Sequence, residues 1–99
     1  MGPGKAELLE QIAQTGSIAG AARAMRMSYR RAWLLVQTMN DCFVQPLVVS
    51  AKGGASGGGA ALTEDGVAVL HAYGDLSTRA ADAFAPLLRA HPMRASPRR

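Results

Sequence analysis

The stretch GSIAGAARAMRMSYRRAWLLVQTMN, residues 16–40, decides the fold of this 99-residue chain. Ser17 is a suitable N-cap for a helix of small residues from Ile18 to about Met25. Ser28 is a suitable N-cap for a second helix that ends at about Asn40. Two helices joined by a turn as short as Arg26-Met27 are typical of a helix-turn-helix unit.

One more helix precedes this unit. The segment KAELLEQIAQ, residues 5–14, places Leu8, Leu9 and Ile12 on one helical face, and Gly16 is placed to end that helix. Residues 1–4 are predicted to be a flexible N-terminus.

A hairpin and a long helix are predicted after the unit. Leu47-Val48-Val49 and Ala60-Ala61-Leu62 have the pattern of two short strands. Thr63 caps a helix that continues to about Ala90, although Pro86 favours a kink or an end there. The fold class is therefore mainly α with a small β-hairpin, a winged helix-turn-helix domain over residues 5–90. Residues 91–99 are predicted to be a disordered basic tail.

Composition restricts the class of protein. The chain is 48% hydrophobic and 18% charged, which is typical of a globular domain. It has one cysteine, so it forms no intrachain disulfide, and a reducing compartment such as the cytoplasm is expected. No apolar run is long enough for a membrane span, and the N-terminus has no signal-peptide pattern.

Positive charge is concentrated in the middle of the chain. Residues 17–62 contain five basic residues and one acid, whereas residues 63–90 contain four acids and two arginines. A polyanion such as DNA is the natural partner of such a distribution, and a solvated basic surface without a partner is the alternative.

The helix that begins at Tyr29 has two different sides. Tyr29, Ala32, Trp33, Val36, Met39 and Asn40 fall on a predicted core side, with Trp33 as the core anchor. Arg30, Arg31, Leu34, Gln37 and Thr38 fall on a predicted exposed side. Arginines in the first turn of such a helix can bond guanine in the major groove, and an exposed leucine can meet a thymine methyl. The Tyr29 hydroxyl could reach a phosphate from the edge of the core side.

The glycine-rich run at residues 53–59 lacks the order of a P-loop or a dinucleotide fingerprint. It is either a flexible linker or the tip of a wing, and the flanking strands favour the wing. Backbone N–H groups of glycines can approach a phosphate closely, and Lys52 adds a charge. The predicted DNA-contacting residues are Arg26, Ser28, Tyr29, Arg30, Arg31, Leu34, Gln37, Lys52, Gly57 and Gly58.

Residues with metal-binding or catalytic chemistry are scattered. The methionines, Cys42, His71 and His91 include soft ligands, but none has the spacing of a metal site. No histidine or carboxylate is paired with a nucleophile. We predict core methionines, a buried thiol, no metal, no cofactor and no enzymatic activity.

The segment SYRRAW…MN together with GG-x-x-GGGA-x-LT resembles the N-terminal DNA-binding domain of ModE-type molybdate-responsive transcription regulators, a LysR-like winged helix-turn-helix. The resemblance covers about residues 5–90. It implies a helix-turn-helix at residues 17–40, a wing at the glycine run, and a two-fold homodimer formed by the first helix and the helix 63–90. The residues assigned to this dimer interface are Leu8, Leu70, Tyr73, Leu76, Ala80, Phe84 and Leu87.

The resemblance implies a regulator that binds a near-palindromic operator in double-stranded DNA. Full-length regulators of this type carry C-terminal molybdate-binding domains, and this sequence ends at Arg99. Oxyanion sensing is therefore not carried over. Three alternatives stay open: the protein acts without an effector, it senses a signal in a different way, or a separate effector-sensing protein is its partner. A winged-helix protein-interaction module and a small metal- or oxyanion-responsive regulator stay as alternatives.

Overall fold

The computed structural model describes residues 1–51 and 59–91. Its elements follow the predicted order of three helices, a hairpin and a long helix. They are α1 (Pro3–Thr15), α2 (Ile18–Ala24), α3 (Tyr29–Asp41), β1 (Val48–Ala51), β2 (Gly59–Leu62) and α4 (Glu64–Ala90). The predicted class, mainly α with one two-stranded antiparallel hairpin, is confirmed.

The helix ends have local chemical causes. The hydroxyls of Ser17, Ser28 and Thr63 each accept a hydrogen bond from the backbone N–H three residues later, as predicted for N-caps. Helix α1 begins at Pro3, two residues earlier than expected, so residues 3–4 are helical and do not belong to a flexible terminus. Proline is favoured in the first turn because its φ suits a helix and its missing N–H is not needed there.

The turn between α2 and α3 is a Schellman-type helix end. The Met27 N–H donates to the Ala22 carbonyl at 3.0 Å, and the Arg26 N–H donates to the Arg23 carbonyl at 3.2 Å. Arg26 has a φ of 57°, a left-handed conformation that glycine usually occupies at this position. This turn sets the direction in which α3 leaves α2.

A single core joins the three N-terminal helices to the hairpin. Small residues of α2, including Ala21 and Ala22, are buried and let α1 and α3 pack closely on either side. The largest fully buried side chains are Leu8, Leu9, Ile12, Val36, Met39 and Leu47. The assignment of Leu8 to a dimer interface is therefore wrong, because Leu8 is enclosed by its own chain.

The hairpin is attached to the helical body at its base. Val48 pairs with Leu62, and Ala51 pairs with Gly59. The Ala60 N–H donates to the Gly16 carbonyl at 2.9 Å, which joins β2 to the end of α1. The hairpin thus has a fixed base, while the predicted contacts Lys52, Gly57 and Gly58 lie outside the described residues.

Helix α4 begins in contact with the core and then leaves it. Gly66 in its first turn is buried beside the Leu47 carbonyl. From Gly74 onward nearly every residue is exposed, and the helix continues through Pro86 to Ala90. Within the described residues, no helix is sufficiently long and apolar to cross a bilayer. Residues 92–99 of the predicted tail lie outside the described residues.

We expect the same substitution at two glycines of α4 to change stability in opposite directions. In Gly66→Ala the new Cβ would overlap the backbone carbonyl oxygen of Leu47, so the free energy of unfolding should fall by about 2 kcal/mol or more. In Gly74→Ala the Cβ would meet nothing within 4 Å. Alanine stabilises a helix interior relative to glycine, so stability should rise by about 0.5–1 kcal/mol.

Urea denaturation followed by far-UV circular dichroism measures both variants against the wild type. Equal midpoints for Gly66→Ala and the wild type would show that α4 does not begin in close contact with residue 47.

Candidate nucleic-acid interface

Helix α3 divides into three stripes because successive residues are about 100° apart on a helix. Ala32, Val36 and Met39 form the core stripe and are buried against α1 and α2. The other two stripes face solvent or the hairpin.

The outer stripe carries the positive charge. Arg30, Arg31 and Leu34 are exposed, as predicted. Within residues 1–51 and 59–91 the one ion pair joins Arg79 to Asp75 on α4, so both α3 arginines face solvent without an acidic partner there. Ser28 accepts a hydrogen bond from the Arg31 N–H at 3.1 Å, and its own hydroxyl hydrogen meets no acceptor among the described residues.

The third stripe, formed by Tyr29, Trp33, Gln37 and Asn40, lines a cleft between α3 and β1. Val49 and Ser50 form part of the opposite wall, and the cleft has a volume of about 270 Å³. Gln37 therefore lies on the cleft stripe, whereas the helical pattern predicted it on the exposed side with Arg30 and Arg31.

The prediction that Trp33 is a core anchor is wrong. Its side chain is 43% exposed at the mouth of this cleft, and Tyr29, one turn before it, is also exposed. The helical pattern placed both on the apolar side, but the core contact uses the narrower stripe through Ala32. The small residues of α2 bring the helices too close for an indole between them.

Asn40 fixes the position of the hairpin relative to α3. Its Oδ1 accepts hydrogen bonds from the Leu47 N–H at 2.8 Å and the Val48 N–H at 3.2 Å. Its Nδ2 donates to the Val48 carbonyl at 3.0 Å. The side chain therefore binds the start of β1 as a neighbouring strand would, and it sets the width of the cleft.

Sequence reasoning placed Asn40 on the core side and missed this role. A signal was present, because asparagine is unfavourable inside a helix and an inward-facing amide needs both a donor and an acceptor partner. The nearest backbone with unpaired groups was the predicted strand that follows the helix.

Thr63 binds residues 46 and 47 from the side opposite Asn40. Its N–H donates to the Leu47 carbonyl at 2.9 Å, and its hydroxyl donates to the Pro46 carbonyl at 2.8 Å. The hydroxyl also accepts the Gly66 N–H at 3.0 Å. Residues 46–48 are thus held by both α3 and the start of α4.

The described residues do not assemble a metal centre. Within residues 1–51 and 59–91, no three histidine, cysteine or acidic side chains come together to hold an ion.

Met39 is buried and Met25 and Met27 pack against the core, in agreement with their predicted roles. Cys42 is exposed, so the prediction of a buried thiol is wrong. It follows the last residue of α3, where the chain turns outward.

An apolar stripe runs along α4 on the side that contacts α1. Leu70 and Tyr73 are half-buried beside α1. Further along the same side, Leu76, Phe84 and Leu87 are 64%, 51% and 54% exposed. The stripe is therefore covered at its start and uncovered over its second half.

Comparison with known proteins gives consistent matches. Residues 4–67 match the protein family described as "Bacterial regulatory helix-turn-helix protein, lysR family". The chain is 49% identical over 74 residues to the molybdenum-pterin-binding protein MopA of Rhodobacter capsulatus, which covers 75% of this chain and 28% of MopA. It is 40% identical over 82 residues to the transcriptional regulator ModE of Yersinia pestis, which covers 83% of this chain and 31% of that protein.

A solved structure has the same fold. The full-length LTTR LysG from Corynebacterium glutamicum superposes with a TM-score of 0.65 at 24% identity, covering 88% of this chain and 28% of LysG. The chain thus spans less than a third of the length of the proteins named here.

We expect Asn40→Ala to destabilise the fold by about 2 kcal/mol or more, because it leaves two N–H groups and one carbonyl of residues 47–48 without their partner. Asn40→Asp keeps the acceptor for both N–H groups but loses the donor to the Val48 carbonyl, so its loss should be smaller. Thermal unfolding of both variants measures the difference. If Asn40→Ala and the wild type melt together, the amide does not hold the hairpin.

Proposed function

Because the chain belongs to the lysR family of bacterial regulatory helix-turn-helix proteins, we propose that it is a sequence-specific DNA-binding transcription regulator that acts as a homodimer. The resemblance to ModE-type regulators drawn from the sequence is confirmed by the 40–49% identities. The observation that carries the proposal is the pair of exposed arginines, Arg30 and Arg31, in the first turn of α3.

The outer stripe of α3 suits the major groove. An α-helix fits that groove, and its N-terminal residues are the ones that reach base edges. Arg30 and Arg31 supply forked donors for guanine, and Leu34 supplies an apolar contact for a thymine methyl. The Ser28 hydroxyl and the first N–H groups of α3 suit a phosphate. Arg26, in the preceding turn, is exposed on the same end of the helix.

A second copy of the chain suits the uncovered stripe of α4. Leu76, Ala80, Phe84 and Leu87 lie within one side of the helix and continue the stripe that α1 covers in the same chain. An apolar row of this length favours association. A two-fold axis would place two α3 helices on two half-sites of a near-palindromic operator.

The proposal concerns DNA binding and leaves oxyanion sensing aside. The name of MopA refers to molybdenum-pterin binding, but this chain spans only 28% of the length of MopA. Bacterial DNA lies in the cytoplasm, so the proposal places the protein there.

Single substitutions of the α3 arginines test the DNA contact. The probe is a labelled duplex that the purified protein enriches from a randomised library, and the readout is fluorescence anisotropy. Arg30→Ala and Arg31→Ala should each weaken binding by about tenfold or more, because a bidentate arginine–guanine contact contributes about 1–3 kcal/mol. Arg89→Ala is the matched control, since Arg89 is exposed on α4 and lies roughly opposite its apolar stripe.

Affinity should also fall steeply with added salt, because phosphate contacts release counterions. Unchanged affinity in both α3 variants, or no enrichment of any duplex by the wild type, would contradict the proposal.

A carboxylate in the α4 stripe tests the dimer. Leu76→Asp should convert the dimer to a monomer, because the two-fold axis places the charge in the interface twice. Thr78→Asp puts the same group two residues away on the opposite side of α4 and should leave the dimer intact. Light scattering after size exclusion measures the mass. A dimeric Leu76→Asp variant would place the interface elsewhere.

A further inference from the structure

We propose that the cleft between α3 and β1 holds one sugar-phosphate strand of the bound duplex, with Trp33 as its principal contact. This inference rests on the proposed DNA-binding function and adds a contact that reads no bases.

The shape of duplex DNA indicates that a sugar-phosphate strand occupies the cleft between α3 and β1. A major groove and the neighbouring minor groove are separated by one sugar-phosphate strand. If the outer stripe of α3 lies in the major groove and the hairpin reaches toward the minor groove, that strand passes between α3 and β1. The cleft lined by Tyr29, Trp33 and Ser50 lies between these two elements. Tyr29 and Trp33 are direct chain neighbours of Arg30 and Leu34 on the outer stripe.

The lining chemistry fits a neutral contact to that strand. None of the eleven described residues that line the cleft is charged. Donors are nevertheless present: the Tyr29 and Ser50 hydroxyls, the Gln37 amide and the Trp33 indole N–H, all of which can donate to phosphate oxygens. The Trp33 ring and Val49 offer apolar surface to a deoxyribose.

The exposure of Trp33 is explained by the same contact. A large aromatic side chain that is 43% exposed leaves apolar surface in water. Packing against a sugar would remove that surface from water when DNA binds. Asn40 holds the two walls at a fixed spacing, so the cleft is formed before the strand enters.

The wild-type protein provides the first measurement. Trp33 is its single tryptophan, so fluorescence excited at a wavelength that tyrosine does not absorb reports on the cleft. Acrylamide, a neutral quencher, should quench Trp33 several-fold less efficiently when the protein is saturated with the library-enriched duplex. Equal quenching with and without duplex overturns the inference, while failure to bind any duplex overturns the proposed function itself.

Substitution gives the second measurement. Trp33→Ala should weaken binding by about tenfold to the enriched duplex and by a similar factor to a scrambled duplex, because the contact reads no bases. A plot of log affinity against log salt concentration should have the same slope for Trp33→Ala as for the wild type, because this substitution removes no cation. The Arg30→Ala/Arg31→Ala double variant should have a shallower slope, because it removes two cations that lie against the polyanion.

Val67→Ala is the matched control, because Val67 is also 43% exposed but lies on α4 away from the cleft lining. Its affinity should equal that of the wild type. Circular dichroism checks that each variant is folded. A loss in Trp33→Ala that is confined to the enriched duplex would indicate base reading and overturn the backbone contact.

Discussion

The position of the hairpin depends on one side chain, Asn40. Its amide binds both N–H groups and one carbonyl at residues 47–48, so a residue at the end of α3 determines where β1 begins. Thr63 binds the carbonyls of residues 46 and 47 and also caps α4. A segment of three residues therefore connects the helix with the exposed arginines, the hairpin and the long helix. Because an amide offers a donor and an acceptor in fixed geometry, this connection is directional in a way that apolar packing is not.

This connection lets one short helix present three surfaces. The core stripe of α3 keeps it packed on α1 and α2, the outer stripe carries Arg30 and Arg31, and the cleft stripe carries Tyr29 and Trp33. Charge and aromatic surface are thus separated by about a third of a turn of the helix. In the proposed complex, the charged stripe provides sequence reading and long-range attraction, and the neutral stripe provides contact that is insensitive to salt.

Helix α4 shows how a small domain can leave apolar surface for assembly. Its first turn is fixed by the close approach of Gly66 to the Leu47 carbonyl, and its middle is partly covered by α1. Beyond residue 74 the same apolar side continues without any cover from the described part of its own chain. In the proposed dimer, the rigid start of α4 would transmit the position of the two-fold axis to both α3 helices, so the spacing of the two half-sites would be set by packing at residues 63–66.

The sequence by itself determined the features that depend on local chemistry. The three caps, the order of elements, the paired strands and the exposure of Arg30, Arg31 and Leu34 all follow from residues close in the chain. Tertiary structure decided which of several apolar faces became core: Leu8 was enclosed, Trp33 was left at a cleft, and Cys42 was turned outward. It also decided the role of Asn40, whose partners lie seven and eight residues away across a loop. A helical pattern gives the direction of a side chain from its axis, but the distance to the neighbouring element decides whether a large side chain fits there, and in this chain the small residues of α2 set that distance.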